Sequence, residues 1–207
     1  MKPYYSDDWV TIYHGDCREI VPTLGEFDLL LTDPPYGIAR VWKGGFKNGW
    51  SKSLPEQATR NLWDGEPPSS DIWPMLLGKA KESIVWGGNY FPLPPSRGWL
   101  VWVKPERNFT MSEAELAWTS IDTVVRVWES ARHVPAREHP TQKPLELMTW
   151  SISKCGNPKT ILDPFAGSGS TGRAAKDLLK SCVLVEREEK YCEMSARRMA
   201  QEVMNFA

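Results

Sequence analysis

A group of residues suited to chemistry, Asp33-Pro34-Pro35-Tyr36, directly follows the apolar run Phe27 to Thr32. Each proline fixes φ and lacks a backbone donor, so we expect the carbonyl oxygens of Asp33 and Pro34 to face a cleft as rigid acceptors. Together with the Asp33 carboxylate they could hold both hydrogens of an amino group on an aromatic ring, and Tyr36 could stack on that ring. An amine held in this way keeps its lone pair out of the ring and can attack an electrophile.

A second motif, a glycine-rich turn, follows a predicted strand that ends at Asp163. Gly167, Gly169 and Gly172 have G-x-G-x-x-G spacing, and Glu186 ends the next predicted strand about 20 residues further on. This pattern is typical of a site for a cofactor with an adenosine part, either a nicotinamide dinucleotide or S-adenosylmethionine. The Asp163 carboxylate favours S-adenosylmethionine, because an anion suits a cationic ammonium and sulfonium better than a pyrophosphate. A turn that only packs a helix against a strand is the alternative.

The elements that must position these motifs are short apolar runs bounded by turn residues, which predict eight buried strands. They are Val10 to His14, Phe27 to Thr32, Ser83 to Trp86, Leu100 to Val103, Glu115 to Thr119, Thr123 to Trp128, Thr160 to Asp163 and Cys182 to Glu186. Helical patterns cover Leu145 to Cys155, Arg173 to Leu179 and Cys192 to Val203. Because strands and helices alternate, the sequence predicts an α/β fold with a mostly parallel central sheet.

Length and composition limit the classes of protein to which this chain can belong. A chain of 207 residues predicts a single domain over 1–207, and a net charge of -1 requires any nucleic acid to bind through a local basic patch. The stretch 37–70 interrupts the alternation, carries such a patch and is expected to be a mobile loop; a second basic loop spans 129–143. No apolar run approaches the length of a membrane span, and the N-terminus does not resemble a secretion signal. We therefore expect a cytoplasmic protein with reduced cysteines and no metal site.

Taken together and in their order, these motifs resemble the amino-methylating DNA methyltransferases. The tetrad and the turn Asp163-Pro164-Phe165-Ala166-Gly167-Ser168-Gly169 carry the resemblance, and Gly15-Asp16-Cys17, Ile84 to Phe91 and His139 to Pro144 add shorter matches. The tetrad precedes the turn, as in the circularly permuted β group of that family. The resemblance implies a Rossmann-like, circularly permuted fold that depends on S-adenosylmethionine, with helices on both faces of the sheet.

The resemblance also implies roles for individual residues. The catalytic residues would be Asp33, Pro34, Pro35 and Tyr36. Those near the cofactor would be Asp163, Pro164, Phe165, Ala166, Gly167, Ser168 and Gly169 in the turn, Glu186 at the ribose, Asp16 and Cys17 at the adenine, and Thr141, Gln142 and Lys143 near the methionine carboxylate. DNA contacts are expected from Arg40, Lys43, Lys47 and Lys52 in the 37–70 loop.

The implied reaction is site-specific methylation of the N6 amino group of an adenine that is extruded from DNA. Adenine is favoured because Asp at the first tetrad position is similar to the adenine-N6 members, whereas Ser is commoner among cytosine-N4 members. Three alternatives stay open: cytosine-N4 methylation on the same scaffold, a nicotinamide-dependent oxidoreductase and a non-catalytic DNA-binding homologue. The expected partner is DNA and not a membrane; a homodimer and a restriction enzyme partner are left open.

Overall fold

The computed structural model describes residues 1–37, 66–105, 112–131 and 143–201. The strands are β1 (Tyr5–Ser6), β2 (Val10–His14), β3 (Phe27–Thr32), β4 (Ala80–Trp86), β5 (Trp99–Val103), β6 (Ala114–Thr119), β7 (Arg126–Glu129), β8 (Thr160–Asp163) and β9 (Ser181–Glu186). The α-helices are α1 (Cys17–Ile20), α2 (Ile72–Leu77), α3 (Leu145–Lys154), α4 (Ser170–Asp177) and α5 (Glu189–Met199). Short 3₁₀ helices cover Val21–Thr23 and Gly88–Tyr90.

The nine strands form one sheet in the order β1-β2-β9-β8-β3-β4-β6-β5-β7. Strands β2, β9, β8, β3 and β4 are parallel neighbours, and β8 pairs with both β9 and β3. Strand β6 runs antiparallel to β4 and β5, and β1 runs antiparallel to β2. The five parallel strands therefore bring their carboxyl ends to one edge of the sheet.

Both faces of the sheet are covered, because successive side chains of the strands are apolar and point to opposite faces. In β3, Leu29 and Leu31 belong to one core cluster and Leu30 belongs to the other. The first cluster contains residues from α3, α4 and α5, and the second contains residues from α1 and α2. Within the described residues, no helix is long and apolar enough to cross a membrane.

The predicted fold class is confirmed: an α/β protein with a mostly parallel sheet and helices on both faces. All eight predicted strands are present, although β7 lies at Arg126–Glu129 and not at Thr123 to Trp128. Strand β1 and helices α1 and α2 were not predicted, because elements of two, four and six residues are too short to show a hydrophobic period. The helix predicted from Arg173 begins earlier, at Ser170. The last helix, predicted from Cys192, also begins earlier, at Glu189, and Val203, where the prediction ended, lies outside the described residues.

The predicted single domain and the circular permutation stay predictions. The described chain does have the order that suggested the permutation, since β3, which leads into the tetrad, precedes β8, which leads into the glycine turn.

Asp7 links the N-terminal hairpin of β1 and β2 to helix α4. Its carboxylate accepts hydrogen bonds from the backbone N–H groups of Trp9 and Val10 and from the Tyr5 hydroxyl. The Lys176 ammonium, on α4, lies 2.5 Å from Asp7 Oδ2. Burial opposes ionisation, but these donors outweigh it and lower the pKa of Asp7 to about 2. The ionised carboxylate therefore stabilises the folded protein.

We expect Asp7→Ala to lower the free energy of unfolding by about 1–3 kcal/mol at neutral pH, because the hydrogen bonds to a charged acceptor are lost. Since the pKa of Asp7 is lower in the folded than in the unfolded protein, this contribution is complete above about pH 4 and disappears as the pH falls towards 2. Urea denaturation of the variant and of Asp8→Ala, a control at an exposed neighbour, measures the effect. Equal stability of the two variants would contradict the role of Asp7.

Candidate active site

The predicted site residues that the structure describes gather at the carboxyl edge of the parallel strands. Asp33 follows β3, Asp163 ends β8, Glu186 ends β9 and Asp16 lies two residues beyond β2. In open α/β sheets this edge is where ligands bind, because loops rather than strands cover it. The sheet order therefore places the tetrad beside the glycine turn.

The glycine turn connects Asp163 to α4, which begins at Ser170. Gly167 has a φ of 50°, a left-handed conformation that favours glycine. A Cβ atom there would meet no other atom within 4 Å, so the turn borders free space on this side. The backbone N–H of Gly167 donates to Glu186 Oε2 over 2.8 Å. The turn and Glu186, the acid that ends β9, thus lie together; we call them the first half-site, and the tetrad Asp33 to Tyr36 the second.

Glu186 is held in a fixed position by backbone donors. In addition to Gly167, the N–H of Glu188 donates to Oε1 over 2.8 Å, and the N–H of Gly15 donates to the Glu186 carbonyl oxygen over 2.9 Å. Burial raises the pKa of the Glu186 carboxyl, and the backbone N–H groups oppose that rise. An oriented carboxylate next to a glycine turn fits the recognition of two vicinal hydroxyls.

Asp163 connects the glycine turn to the strand that leads into the tetrad. Its Oδ1 accepts a hydrogen bond of 2.7 Å from the Thr32 hydroxyl, which precedes Asp33, and one of 3.1 Å from the backbone N–H of Phe165. Asp163 is only 2% exposed, and this burial raises the pKa of its carboxyl to about 6. The Thr32–Asp163 hydrogen bond therefore adds a side-chain link between β3 and β8, which are also paired through their backbones.

Asp16 lies at the rim of the same edge. Its carboxylate caps α1 by accepting from the backbone N–H of Arg18 over 2.9 Å, and it also pairs with the Arg18 guanidinium. Arg18 lowers the pKa of Asp16, so the side chain is anionic at neutral pH. Cys17, the next residue, is buried in the core.

In the tetrad, the Asp33 carboxylate is surrounded by donors. The Lys143 Nζ donates to both Asp33 oxygens over 2.7 Å, and the Tyr36 hydroxyl donates to Oδ1 over 2.5 Å. The Lys143 Nζ also donates to the Tyr36 hydroxyl oxygen over 3.0 Å. Burial raises the pKa of the Asp33 carboxyl, and the Lys143 ammonium opposes the rise. Burial and the nearby Asp33 keep the pKa of Tyr36 well above its usual value, so its hydroxyl stays a donor.

Two charged residues that the sequence analysis did not single out extend this network. Glu115 on β6 lies 3.0 Å from the Lys143 Nζ, and Lys104, just after β5, pairs with the other Glu115 oxygen. Burial alone would lower the pKa of Lys143, but Asp33 and Glu115 outweigh it and raise that pKa. Burial also opposes ionisation of Glu115, yet Lys143 and Lys104 lower its pKa to about 2. Asp33, Lys143, Glu115 and Lys104 form a chain of alternating charges, which we call the ion cluster.

Only a weak signal in the sequence could have revealed Glu115 and Lys104. Each lies in or just beyond an apolar strand, where a charged residue usually faces solvent. The structure instead leaves Lys104 5% exposed, above the Trp102 ring at 4.6 Å from its centroid. Buried charges need partners, and those partners come from other elements.

The ring of Tyr36 packs closely against the segment that follows β4. It stacks on Tyr90 with a centroid distance of 5.1 Å and an interplanar angle of 21°, and it meets the Phe91 ring edge-on at 6.2 Å. Gly87 has a φ of 70°, and a Cβ atom there would overlap with the Tyr36 ring. Gly87 is therefore required for the position of Tyr36.

Some predicted site residues lie outside the described residues. These are Arg40, Lys43, Lys47, Lys52, Thr141 and Gln142. For Lys143 the sequence analysis proposed a place near a cofactor carboxylate, whereas the structure puts its ammonium on the tetrad carboxylate. Its role towards a cofactor stays a prediction, as do the functional roles of the other site residues.

Comparison with known proteins identifies the family. Residues 56–197, more than half of the chain, match the family model of N6 and N4 methyltransferases, described as DNA methylase. Type II methyltransferase M2.MboI of Moraxella bovis is 25% identical over 257 residues, which cover 96% of this chain and 91% of the relative. DNA adenine methyltransferase YhdJ of Escherichia coli (strain K12) is 25% identical over 253 residues, covering 94% and 84%.

Solved structures agree in fold. The complex of M1.HpyAVI with SAM has a TM-score of 0.59 and 22% identity, covering 93% of this chain and 100% of that one. The PvuII DNA methyltransferase, described as cytosine-N4-specific, has a TM-score of 0.64 and 17% identity, covering 100% and 91%. The fold is thus that of the methyltransferases that act on DNA. The chain belongs to the DNA methylase family, and it is a DNA methyltransferase of the N6/N4 class.

We expect Gly87→Ala to lower the rate of methyl transfer by about 100-fold, because the added methyl group displaces the Tyr36 ring and misplaced groups lose most of their effect. Initial rates with labelled S-adenosylmethionine on unmethylated DNA measure this loss. Gly25→Ala is the matched control, since a Cβ atom at Gly25 meets nothing within 4 Å. A Gly87→Ala variant as active as Gly25→Ala would contradict the packing argument.

Proposed function

We propose that this DNA methyltransferase moves the methyl group of S-adenosylmethionine to the exocyclic N6 amino group of an adenine extruded from DNA. The proposal rests on one observation above all: the tetrad and the glycine turn lie next to each other and are linked. The Thr32–Asp163 hydrogen bond joins the strand of the tetrad to the strand of the glycine turn. An acceptor for an amino group and a turn suited to an adenosine cofactor therefore lie side by side.

The glycine turn and its surroundings fit the cofactor. Gly167 borders free space, and its backbone N–H holds the Glu186 carboxylate, which is suited to the two hydroxyls of a ribose. Asp163 supplies a negative charge for a cationic ammonium. We assign Asp16 and Cys17 to the adenine of the cofactor, and Thr141, Gln142 and Lys143 to its methionine carboxylate. When bound, the cofactor supplies an electrophilic methyl group.

The tetrad acts on the other reactant, the amino group of the base. The Asp33 carboxylate accepts a hydrogen of the amino group, and the carbonyl oxygens of Asp33 and Pro34 are the further acceptors that the prolines Pro34 and Pro35 hold rigid. A lone pair held outside the ring plane by these acceptors would be placed to attack the methyl group that the bound cofactor supplies, and the S–C bond would break as the N–C bond forms. The nitrogen loses one proton in the reaction, and Asp33, whose pKa is raised by burial, is placed to take it.

The choice of adenine rests on the first tetrad residue. Asp33 is the residue type that is similar to the adenine-N6 members, and one relative is named a DNA adenine methyltransferase. Cytosine-N4 methylation is the alternative, because a solved structure of the same fold is described as cytosine-N4-specific. Both bases present an amino group on an aromatic ring, so the mechanism is the same for either.

The DNA contacts are a separate part of the proposal. Arg40, Lys43, Lys47 and Lys52 carry charges of the sign that binds a phosphate backbone. A base inside a duplex cannot reach the edge of the sheet, so extrusion of the base precedes transfer. We place the enzyme in the cytoplasm, where it would meet DNA. A homodimer and a restriction enzyme as partner stay predictions.

The experiment that tests the proposal is product analysis. The protein is incubated with unmethylated DNA and labelled S-adenosylmethionine, the DNA is digested to nucleosides, and the labelled nucleoside is identified by mass spectrometry. Label in N6-methyladenine supports the proposal. Label in N4-methylcytosine would show that the target base is cytosine and not adenine. Labelled protein or free label only, with DNA unmethylated, would contradict it.

We expect Asp33→Asn to reduce turnover by about 100-fold or more, because the variant lacks the anionic acceptor at the amino group. Since the glycine turn is untouched, the variant should bind S-adenosylhomocysteine at least as tightly as the wild type. Single-turnover rates and isothermal titration measure the two effects, with Asp8→Asn as an exposed control. Unchanged turnover would show that Asp33 does not act on the base.

The affinity for S-adenosylhomocysteine should also depend on pH. The pKa of Asp163 is about 6, so the carboxylate takes up a proton as the pH falls from about 7.5 to 5 and no longer attracts the ammonium of the ligand. We expect the dissociation constant to rise by about tenfold over this interval. Asp163→Asn should lack the step near pH 6. If the dissociation constants of the variant and of the wild type depended on pH in the same way, Asp163 would not be the group that attracts the ammonium of the ligand.

A further inference from the structure

The two oxygens of the Asp33 carboxylate are not equally occupied. A carboxylate has about four lone-pair sites, two on each oxygen. Oδ1 accepts from the Lys143 ammonium over 2.7 Å and from the Tyr36 hydroxyl over 2.5 Å, so both of its sites are filled. Oδ2 accepts from the same ammonium, also over 2.7 Å. Within the described residues, the open acceptor site of Asp33 is therefore on Oδ2.

The direction of the Tyr36 hydroxyl is set by Lys143. An ammonium can only donate hydrogen bonds, so the Tyr36 oxygen accepts from the Lys143 Nζ, 3.0 Å away, and its own hydrogen is left for Asp33. Burial and the charge of Asp33 raise the pKa of Tyr36, so the hydroxyl keeps this hydrogen at neutral pH. The Tyr36 hydroxyl thus closes Oδ1 to other donors.

Glu115 holds Lys143 from the other side. The Lys143 Nζ lies 3.0 Å from Glu115 Oε2, and Lys104 pairs with the other Glu115 oxygen. Glu115 lies on β6 opposite Trp102 of β5, so the sheet sets its position. Because Lys143 is held between two carboxylates, it cannot follow a rotation of the Asp33 side chain without losing a charged hydrogen bond. The ion cluster therefore resists rotation of the Asp33 carboxylate.

A donor from outside can reach Asp33 but not the ammonium beside it. The Asp33 side chain is 21% exposed, whereas that of Lys143 is 7% exposed. An amino group brings two hydrogens, and one open site on the carboxylate accommodates one of them. The second hydrogen then goes to a backbone carbonyl oxygen, that of Asp33 or Pro34. One closed oxygen thus makes the two acceptors of the amino group different in kind.

We propose that Asp33 receives the amino group of the base at Oδ2 alone, and that the Tyr36 hydroxyl and Glu115 are positioning groups for this acceptor. The hydroxyl acts directly, by closing Oδ1, and Glu115 acts through Lys143. This inference rests on the proposed function and adds to it the acceptor atom and the two groups that orient it. It holds for adenine and for cytosine alike.

The two positioning groups act in opposite directions on the charge of Asp33. The charged and titratable groups that face Asp33 are Lys143, Tyr36, Glu115 on β6 and Asp163 at the end of β8. The hydrogen bond from Tyr36 lowers the pKa of Asp33, and the Glu115 anion raises it. Transfer needs the ionised carboxylate, so the rate falls as the pH drops through this pKa. We call the pH at half of the maximal rate the acid midpoint.

The test is single-turnover methylation of unmethylated DNA with saturating S-adenosylmethionine, from about pH 5 to about pH 8.5. We expect Tyr36→Phe to slow transfer by about tenfold, the size of one lost hydrogen bond to a charged group, and to move the acid midpoint to higher pH. Glu115→Gln should slow transfer by a similar factor and move the acid midpoint to lower pH. Loss of packing alone would displace neither midpoint.

Matched controls are available for both variants. Tyr90→Phe removes a hydroxyl from the ring that stacks on Tyr36, and Glu113→Gln changes an exposed acid just before β6; both should resemble the wild type. Because Glu115→Gln leaves Lys104 unpaired, a double variant with Lys104→Met removes the outer ion pair as a whole. It should recover the melting temperature of the wild type and keep the lowered acid midpoint.

The inference is overturned if Tyr36→Phe transfers as fast as Tyr90→Phe, since Oδ1 would then not need to be closed. It is also overturned if Tyr36→Phe and Glu115→Gln move the acid midpoint in the same direction or leave it in place. If the wild type methylates no DNA, the proposed function fails and this inference fails with it, which is a different result from an active wild type with unaffected variants.

Discussion

A carboxylate that is largely shielded from water needs a positive partner, and the arrangement of the site follows from this constraint at Asp33, whose side chain is 21% exposed. Its partner Lys143 lies 110 residues further along the chain, just before α3. Lys143 is in turn balanced by Glu115 on β6, and Glu115 by Lys104 beyond β5. The ion cluster thus links the residue that follows β3 and the residue that precedes α3, 110 positions apart, to the neighbouring strands β5 and β6.

The order of the strands brings the two halves of the reaction together. Strands β3 and β8 are parallel neighbours, so the residues that follow them meet at the same edge of the sheet. Thr32 and Asp163 are hydrogen bonded across this boundary, and Glu186 adds the next strand, β9. Methyl transfer needs two reactants in line and in contact, and a parallel sheet provides adjacent sites for them without further elements.

The sequence predicted the parts of this site that are local. The apolar runs at Phe27 and Thr160 identified the strands, and the residues after them identified the tetrad and the turn. The ion cluster could not be predicted, because Glu115 and Lys104 differ from surface residues only in their tertiary partners. The stacking of Tyr36 on Tyr90 was missed for the same reason. Short elements such as α2 contain too few residues to show a period.

We expect the cofactor to lie in the free space beside Gly167 and to face Asp33. A crystal structure of the full chain with S-adenosylhomocysteine tests it most directly. We expect ribose hydroxyls within hydrogen-bond distance of the Glu186 carboxylate and a sulfur atom on the side of the tetrad. A ligand bound away from the carboxyl edge of β8 and β9, or one whose sulfur points away from Asp33, would contradict it.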